Sequence, residues 1–207
     1  SNINLMRAES PGPSVGKLVP KIKHTARILY IIYLGLSLIE FIVLIAAKMP
    51  VFDAMNTTFG TAGTGGFGIK NSSLGGYSVT IQWIVTIFMM LFGVNFNAYY
   101  IMIFGSIKKA LSMEEVRAYF GIILTAIVII TINIYSMCSG VWDAVTKSAF
   151  QVGSIITTTG FATTDFNIWP QTSKTILVLL MFVGACAGST GGGIKVSRLV
   201  VFLKAIK

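Results

Sequence analysis

Residues 28–47 run apolar for twenty positions with a single interruption, Glu40. At 1.5 Å per residue, that is the length a helix needs to cross the roughly 30 Å hydrocarbon layer of a bilayer. Further apolar segments lie at residues 80–104 (interrupted by Gly93, Asn95 and Asn97), 119–137 and 172–184, separated by polar or basic chain. Inside lipid each such segment must satisfy its own backbone, so the fold class is an all-α membrane protein. Composition excludes a soluble domain. Charged residues make up 11% of the chain and mean hydropathy is +0.79, against about 25% charged in a typical soluble domain.

The net charge of +9, from 16 Lys and Arg against 7 Asp and Glu, sorts by side. Lys17, Lys21, Lys23, Arg27, Lys108, Lys109, Arg117, Lys195, Arg198, Lys204 and Lys207 fall on one predicted side. Lys48, Lys70, Lys147 and Lys174 fall on the other, among Asp53, Asp143 and Asp165. The positive-inside rule makes the first side cytoplasmic. Basic residues are not interleaved with aromatics, so nucleic acid is not expected as a partner. Cys138 and Cys186 have no metal spacing and His24 is the single histidine, so both cysteines read as small packing residues. Residues 1–20 are polar, contain Pro11-Gly12-Pro13 and lack a signal-peptide pattern. The expectation there is a loop, in a chain entered partway through a longer protein.

Between the apolar segments lie two runs too short and polar to cross a bilayer. Phe52-Asp53-Ala54-Met55-Asn56-Thr57-Thr58-Phe59 leads to Thr64-Gly65-Gly66-Phe67-Gly68. Trp142-Asp143-Ala144 opens a second run, which leads to Thr158-Thr159-Gly160-Phe161-Ala162. Each suits a re-entrant helix that enters and turns back, with Asp53 or Asp143 as the N-cap or first-turn acid. The C-terminal ends, near Gly63 and Thr157, would then aim the negative end of the helix dipole at a common path. Gly66 and Gly160 permit left-handed backbone angles, so that successive carbonyls line one face. Potassium-channel filters, which read Thr-Val-Gly-Tyr-Gly, use carbonyls in this way to replace the ion's water shell.

The order of span, short helix, Thr-x-Gly-Phe, loop and span occurs twice. Asp143 follows Asp53 by 90 positions and Gly160 follows Gly66 by 94. Repeated units around one axis are what a symmetric pore requires. The predicted organisation is a linker at 1–27, a pore repeat at 28–105, a loop at 106–118 and a second repeat at 119–207. Ser112 and Glu115 have the spacing of a capping box at the start of the third span. Glu40 should face protein or water, as a structural hydrogen-bond partner or beside the ion path. The last span dissolves into Gly184-Ala185-Cys186-Ala187-Gly188-Ser189-Thr190-Gly191-Gly192-Gly193. A glycine-rich break is unstable in lipid, must border protein or water, and has few side chains to hold it. A phosphate loop there would need Gly-Lys-Ser/Thr, but Ile194 intervenes before Lys195.

These stretches resemble the TrkH/KtrB superfamily of potassium uptake proteins. The matching segments are Arg7–Pro13, Phe52-Asp53-Ala54, Thr64–Phe67, Phe92-Gly93-Val94-Asn95-Phe96, Thr157–Phe161 and Cys186–Lys195. The resemblance implies a non-enzymatic fold of four pore repeats in one polypeptide, with this chain as the second and third. It implies filter residues Thr64, Gly65, Gly66, Phe67, Thr158, Thr159, Gly160 and Phe161. It also implies an intramembrane gate at Gly184, Gly188, Ser189, Thr190, Gly191, Gly192 and Gly193, with Asp53, Asp143, Glu40 and Asn95 in support. Potassium is then the substrate and no covalent cofactor is expected. The implied setting is a homodimer in the plasma (inner) membrane, regulated by a cytoplasmic nucleotide-binding subunit of the TrkA/KtrA kind. In that family glycine at the central filter position goes with potassium and serine with sodium; Gly66 and Gly160 favour potassium. The alternative is a sodium-permeable or ion-coupled carrier, with Glu40, Asn95 or Asn97 binding the coupling ion.

Overall fold

The computed structural model describes residues 22–206; residues 1–21 and Lys207 lie outside it. The predicted opening loop, the Arg7–Pro13 motif, Lys17 and Lys21 therefore fall outside the described residues. Among the described residues the chain is helical: α1 (Ile22–Ala46), α2 (Val51–Ala62), α3 (Val79–Phe92), α4 (Phe96–Phe104), α5 (Ile107–Leu111), α6 (Glu114–Ile134), α7 (Val141–Ile156), α8 (Gln171–Phe182) and α9 (Val196–Ile206). Short 3₁₀ turns follow α6 and precede α8.

The long helices α1 and α6 have the length and apolarity to cross a membrane, over Ala26–Ala46 and Glu114–Met137. They carry whole faces of exposed Leu, Ile and Val, including Leu34, Leu38, Ile42, Leu124, Val128 and Ile132. In water such faces would aggregate; against lipid they are the solvent-facing surface. Of the short helices, α7 sits inside, whereas α2 buries one face and leaves Val51, Phe52, Met55 and Phe59 exposed. Helix α7 is buried along most of its length, packed between α3, α6 and α8. Tyr119, Ile123, Ile130 and Ile134 of α6 meet Val152 and Ile156 of α7 in the main core. Glycine supplies the close fit where α7 crosses α3. A Cβ at Gly153 would come within 3.3 Å of the Met90 side chain and 3.6 Å of that of Thr86.

The second span differs from its sequence reading. Residues 80–104 do not form one helix; α3 and α4 meet at 89° across Gly93–Asn95. The reason is where the last carbonyls of α3 go. The Gly93 carbonyl accepts from Cys186 N at 3.0 Å and that of Phe92 accepts from Thr190 N at 3.4 Å. Partners from another segment thus replace the next helical turn. Asn95 then caps α4 by accepting from Asn97 N at 2.9 Å. Tyr119 seals the corner, donating to the Met90 carbonyl at 3.1 Å. A Cβ at Gly93 would fall 2.2 Å from the Tyr119 hydroxyl, so only glycine fits there.

The predicted capping box at Ser112 and Glu115 is also corrected. Met113 occupies the N-cap of α6, and the Ser112 hydroxyl turns away to donate to the Lys109 carbonyl at 2.9 Å. Glu115 is released for a different task, described below.

Candidate functional site

Helices α2 and α7 end in the same backbone figure, 94 positions apart. Gly63 N donates to Phe59 O at 2.9 Å, and Thr157 N to Gly153 O at 3.2 Å. Thr64 N bonds Thr61 O at 3.1 Å, as Thr158 N bonds Ile155 O at 3.0 Å. The next two amides of each segment converge on one carbonyl, that of Gly60 in the first and Ser154 in the second. This is a helix end closed by residues in the left-handed region. Thr64 has φ 49° and Gly66 φ 65°; Thr158 has φ 58° and Gly160 φ 92°. Both glycines therefore adopt the conformation their sequence positions suggest. The threonines are the surprise, because a β-branched residue in that region is strained by about 1–3 kcal/mol and must be held there.

What holds them is the glycine-rich segment. Thr64 Oγ1 donates to the Thr190 carbonyl at 3.2 Å, and Thr158 Oγ1 accepts from Gly192 N at 2.7 Å. The strain of each threonine is offset by a bond that its side chain makes only in this pose. Gly184–Gly193 is thus a loop docked directly against both Thr-x-Gly-Phe segments. Its neck is closed by the bridge between Val183 and Ile194, with Gly184 N donating to Ile194 O at 2.9 Å. Gly188 and Gly193 have φ 68° and 73°. The loop's tip is fixed by the bonds to Phe92 and Gly93 already described, by Phe96 N donating to Gly188 O at 3.1 Å, and by Lys195 Nζ donating to the Gly191 carbonyl. Backbone groups and a few polar side chains, most of them from neighbouring elements, fasten this segment.

The two Thr-x-Gly-Phe segments adjoin but are not equivalent. A Cβ on Gly66 would lie 2.0 Å from the Thr159 carbonyl oxygen, whereas one on Gly160 would meet nothing within 4 Å. Phe161 is fully buried, its ring tip filling the space left by Gly60 of α2, while Phe67 is 85% exposed. Ser154 Oγ donates to the Phe161 carbonyl at 2.6 Å, and Thr157 and Thr159 share a 2.7 Å hydroxyl contact. Ser154 escaped sequence reasoning. Ser154 had one usable signal, its 94-position offset from Gly60.

The supporting residues take separate places. Asp53 is a first-turn acid of α2, whose N-cap is Pro50, and it accepts from the Tyr77 hydroxyl at 2.6 Å. Burial and then that bond push the Tyr77 phenol up to about 12, so it stays a donor at physiological pH. Asp143 pairs with Lys147 at 2.7 Å and accepts from Ser139 N at 3.1 Å, fixing the entry into α7. Glu40 is fully buried on α1, facing α2 rather than lipid. Its oxygens have no hydrogen-bond partner among the described residues, and the Thr61 hydroxyl donates to Thr57 O instead. Asn95 lies at the bend against the loop, not at the Thr-x-Gly-Phe segments.

The family model described as "TrkH: Cation transport protein" matches residues 2–207. The Trk system potassium uptake protein TrkH of Salmonella typhimurium is 36% identical over 207 residues, covering 98% of this chain and 43% of that protein. The uptake protein TrkG of Escherichia coli K12 is 32% identical over 209 residues, with 98% and 43% covered. The crystal structure of the potassium transporter TrkH from Vibrio parahaemolyticus superposes with a TM-score of 0.85 at 32% identity, over 97% of this chain and 44% of that one. The chain thus spans less than half the length of these relatives. It belongs to the TrkH family of cation transport proteins, a family of transporters rather than enzymes.

Proposed function

We propose that this chain supplies two adjoining quarters of a potassium-selective filter, together with the intramembrane loop that gates it, in a protein that takes up potassium. The observation that carries the reading is the repeated left-handed Thr-x-Gly backbone at the C-terminal ends of two short helices. Dehydrating a cation needs several carbonyl oxygens in a fixed ring, which only segments from equivalent repeats can provide. The negative ends of α2 and α7 add a favourable field at the same place. Gly184–Gly193 docks on both segments, so its position decides whether the path below them is open. The names of the similar proteins, potassium uptake proteins and a potassium transporter, support the choice of ion. On the resemblance we also propose that two copies pair in the plasma (inner) membrane. A cytoplasmic nucleotide-binding subunit of the TrkA/KtrA kind would then meet the side that carries Lys108, Lys109, Arg117, Lys195 and Arg198.

Rubidium uptake into vesicles carrying the full-length protein tests the reading. The expected result is uptake competed by potassium far better than by sodium, with no fixed sodium or proton stoichiometry. Uptake locked to a constant number of co-transported sodium ions or protons would instead make this a coupled carrier.

A further inference from the structure

Glu115 is the acid that the predicted capping box misassigned. It lies in the first turn of α6, half-buried, and its two carboxylate oxygens are used separately. Oε1 accepts from Ala187 N of the glycine-rich loop at 2.5 Å. Oε2 accepts from Asn95 Nδ2, at the α3–α4 bend, at 3.1 Å. One side chain therefore ties the loop, the bend and the start of α6 together. Asn95 is committed on its other side, because its Oδ1 already accepts from Asn97 N. The amide orientation is thereby fixed, and Asn95 can only donate towards Glu115.

The donor and acceptor pattern is restrictive. Two donors, the Ala187 amide and the Asn95 amide, point at position 115, so the residue there must accept twice. A carboxylate does this with its two oxygens; a carboxamide of the same shape puts an accepting oxygen at one position and an NH2 that can only donate at the other. The positive end of the α6 dipole lies at the same turn and favours the charge. Such charge-assisted bonds are stronger than the neutral backbone bonds around them. Of the loop's other ties, Cys186 N to Gly93 O, Thr190 N to Phe92 O and Phe96 N to Gly188 O are of that neutral kind, and the bond from Lys195 Nζ to the Gly191 carbonyl is charge-assisted at the opposite end of the loop.

We propose that Glu115 is the latch of the gate loop, holding Gly184–Gly193 against the Thr-x-Gly-Phe segments until its bonds to Ala187 and Asn95 break. The proposal rests on the loop-gate reading above for its effect on transport, but the latch itself is a structural statement with its own readout. Glu115 acts through the loop and touches no ion, so it is a positioning residue.

The test is a reciprocal exchange in the full-length protein. Glu115→Gln sets two amide donors against each other, and Asn95→Asp sets two carboxylates against each other. Each single variant should speed amide hydrogen exchange across residues 184–193 by about tenfold or more, the usual consequence of losing a hydrogen bond to a charged group. The double variant N95D/E115Q restores complementarity: the carboxamide at position 115 accepts from Ala187 N and donates to the new carboxylate. Its exchange should return close to that of the parent. Parental exchange in both single variants, or a double variant as fast as the singles, would overturn the latch. If a single variant does not fold, the yield of folded double variant becomes the readout, with parental yield supporting the latch and no recovery overturning it. Rubidium uptake is measured in parallel. It should rise in the single variants and fall back in the double. Exchange that follows this pattern with uptake unmoved would leave the latch standing and overturn the gate reading.

Discussion

Serine in place of Gly66 should cut rubidium uptake by the full-length protein by about tenfold or more. Two separate effects act at this position. The residue has φ 65°, where an L-amino acid costs about 1–3 kcal/mol. Its Cβ would also stand 2.0 Å from the Thr159 carbonyl oxygen and 2.9 Å from the Gly160 carbonyl carbon. Backbone cannot rotate away as a flexible side chain does, so the two segments must separate. In the proposed filter, carbonyl oxygens set for one ionic radius would then no longer be equidistant from the ion, and the dehydration of potassium would be poorly matched. Uptake and discrimination against sodium should fall together. Parental uptake with parental discrimination would mean that Gly66 does not approach the ion path.

The second large effect is expected at Gly184→Ala. The neck of the loop closes glycine on glycine: a Cβ at Gly184 would lie 1.9 Å from the Gly192 carbonyl oxygen and 2.9 Å from the Gly193 Cα. Overpacking of this kind costs about 1–3 kcal/mol, occasionally more. The easiest relief is to push Gly192 and Gly193 away, which breaks the 2.7 Å bond from Gly192 N to Thr158 Oγ1. Thr158 then loses the partner that compensates its left-handed strain. The loop should exchange its amides faster, and basal uptake should rise by about tenfold for each 1.4 kcal/mol by which its docked position is weakened. A variant with parental exchange and parental uptake would show that the neck does not set the loop's position.

Much of this arrangement was legible in the chain because it follows from local rules. Twenty-residue apolar runs specify α1 and α6, and a short polar run between apolar segments specifies a helix too short to cross. Gly66 and Gly160 announced their backbone angles, since glycine tolerates them at no steric cost. The offsets of 90 and 94 positions revealed the repeat, and the extra four residues appear as the greater length of α7 over α2. What escaped notice depends on distant partners. Gly93, Asn95 and Asn97 mark an interruption but not an angle, so residues 80–104 read as one span; the bend exists because Cys186 and Thr190 take the carbonyls there. Glu115 looked like a local cap, since its spacing from Ser112 fits one, while its actual partners lie 72 and 20 positions away. The unequal burial of Phe67 and Phe161 was invisible for the same reason. Matching motifs carry no information on which neighbour each aromatic meets.

The filter assignment is tested most directly at Gly160, where the space is open and only the backbone angle opposes a side chain. Gly160→Ser is therefore the variant whose selectivity is read in a protein with the least collateral damage. The measurement is the ratio of rubidium to sodium uptake by the full-length protein in vesicles. If Thr158–Phe161 is one quarter of a potassium filter, the ratio falls by about tenfold, the change that a barrier difference of about 1.4 kcal/mol produces. A folded Gly160→Ser protein with the parental ratio would contradict the account.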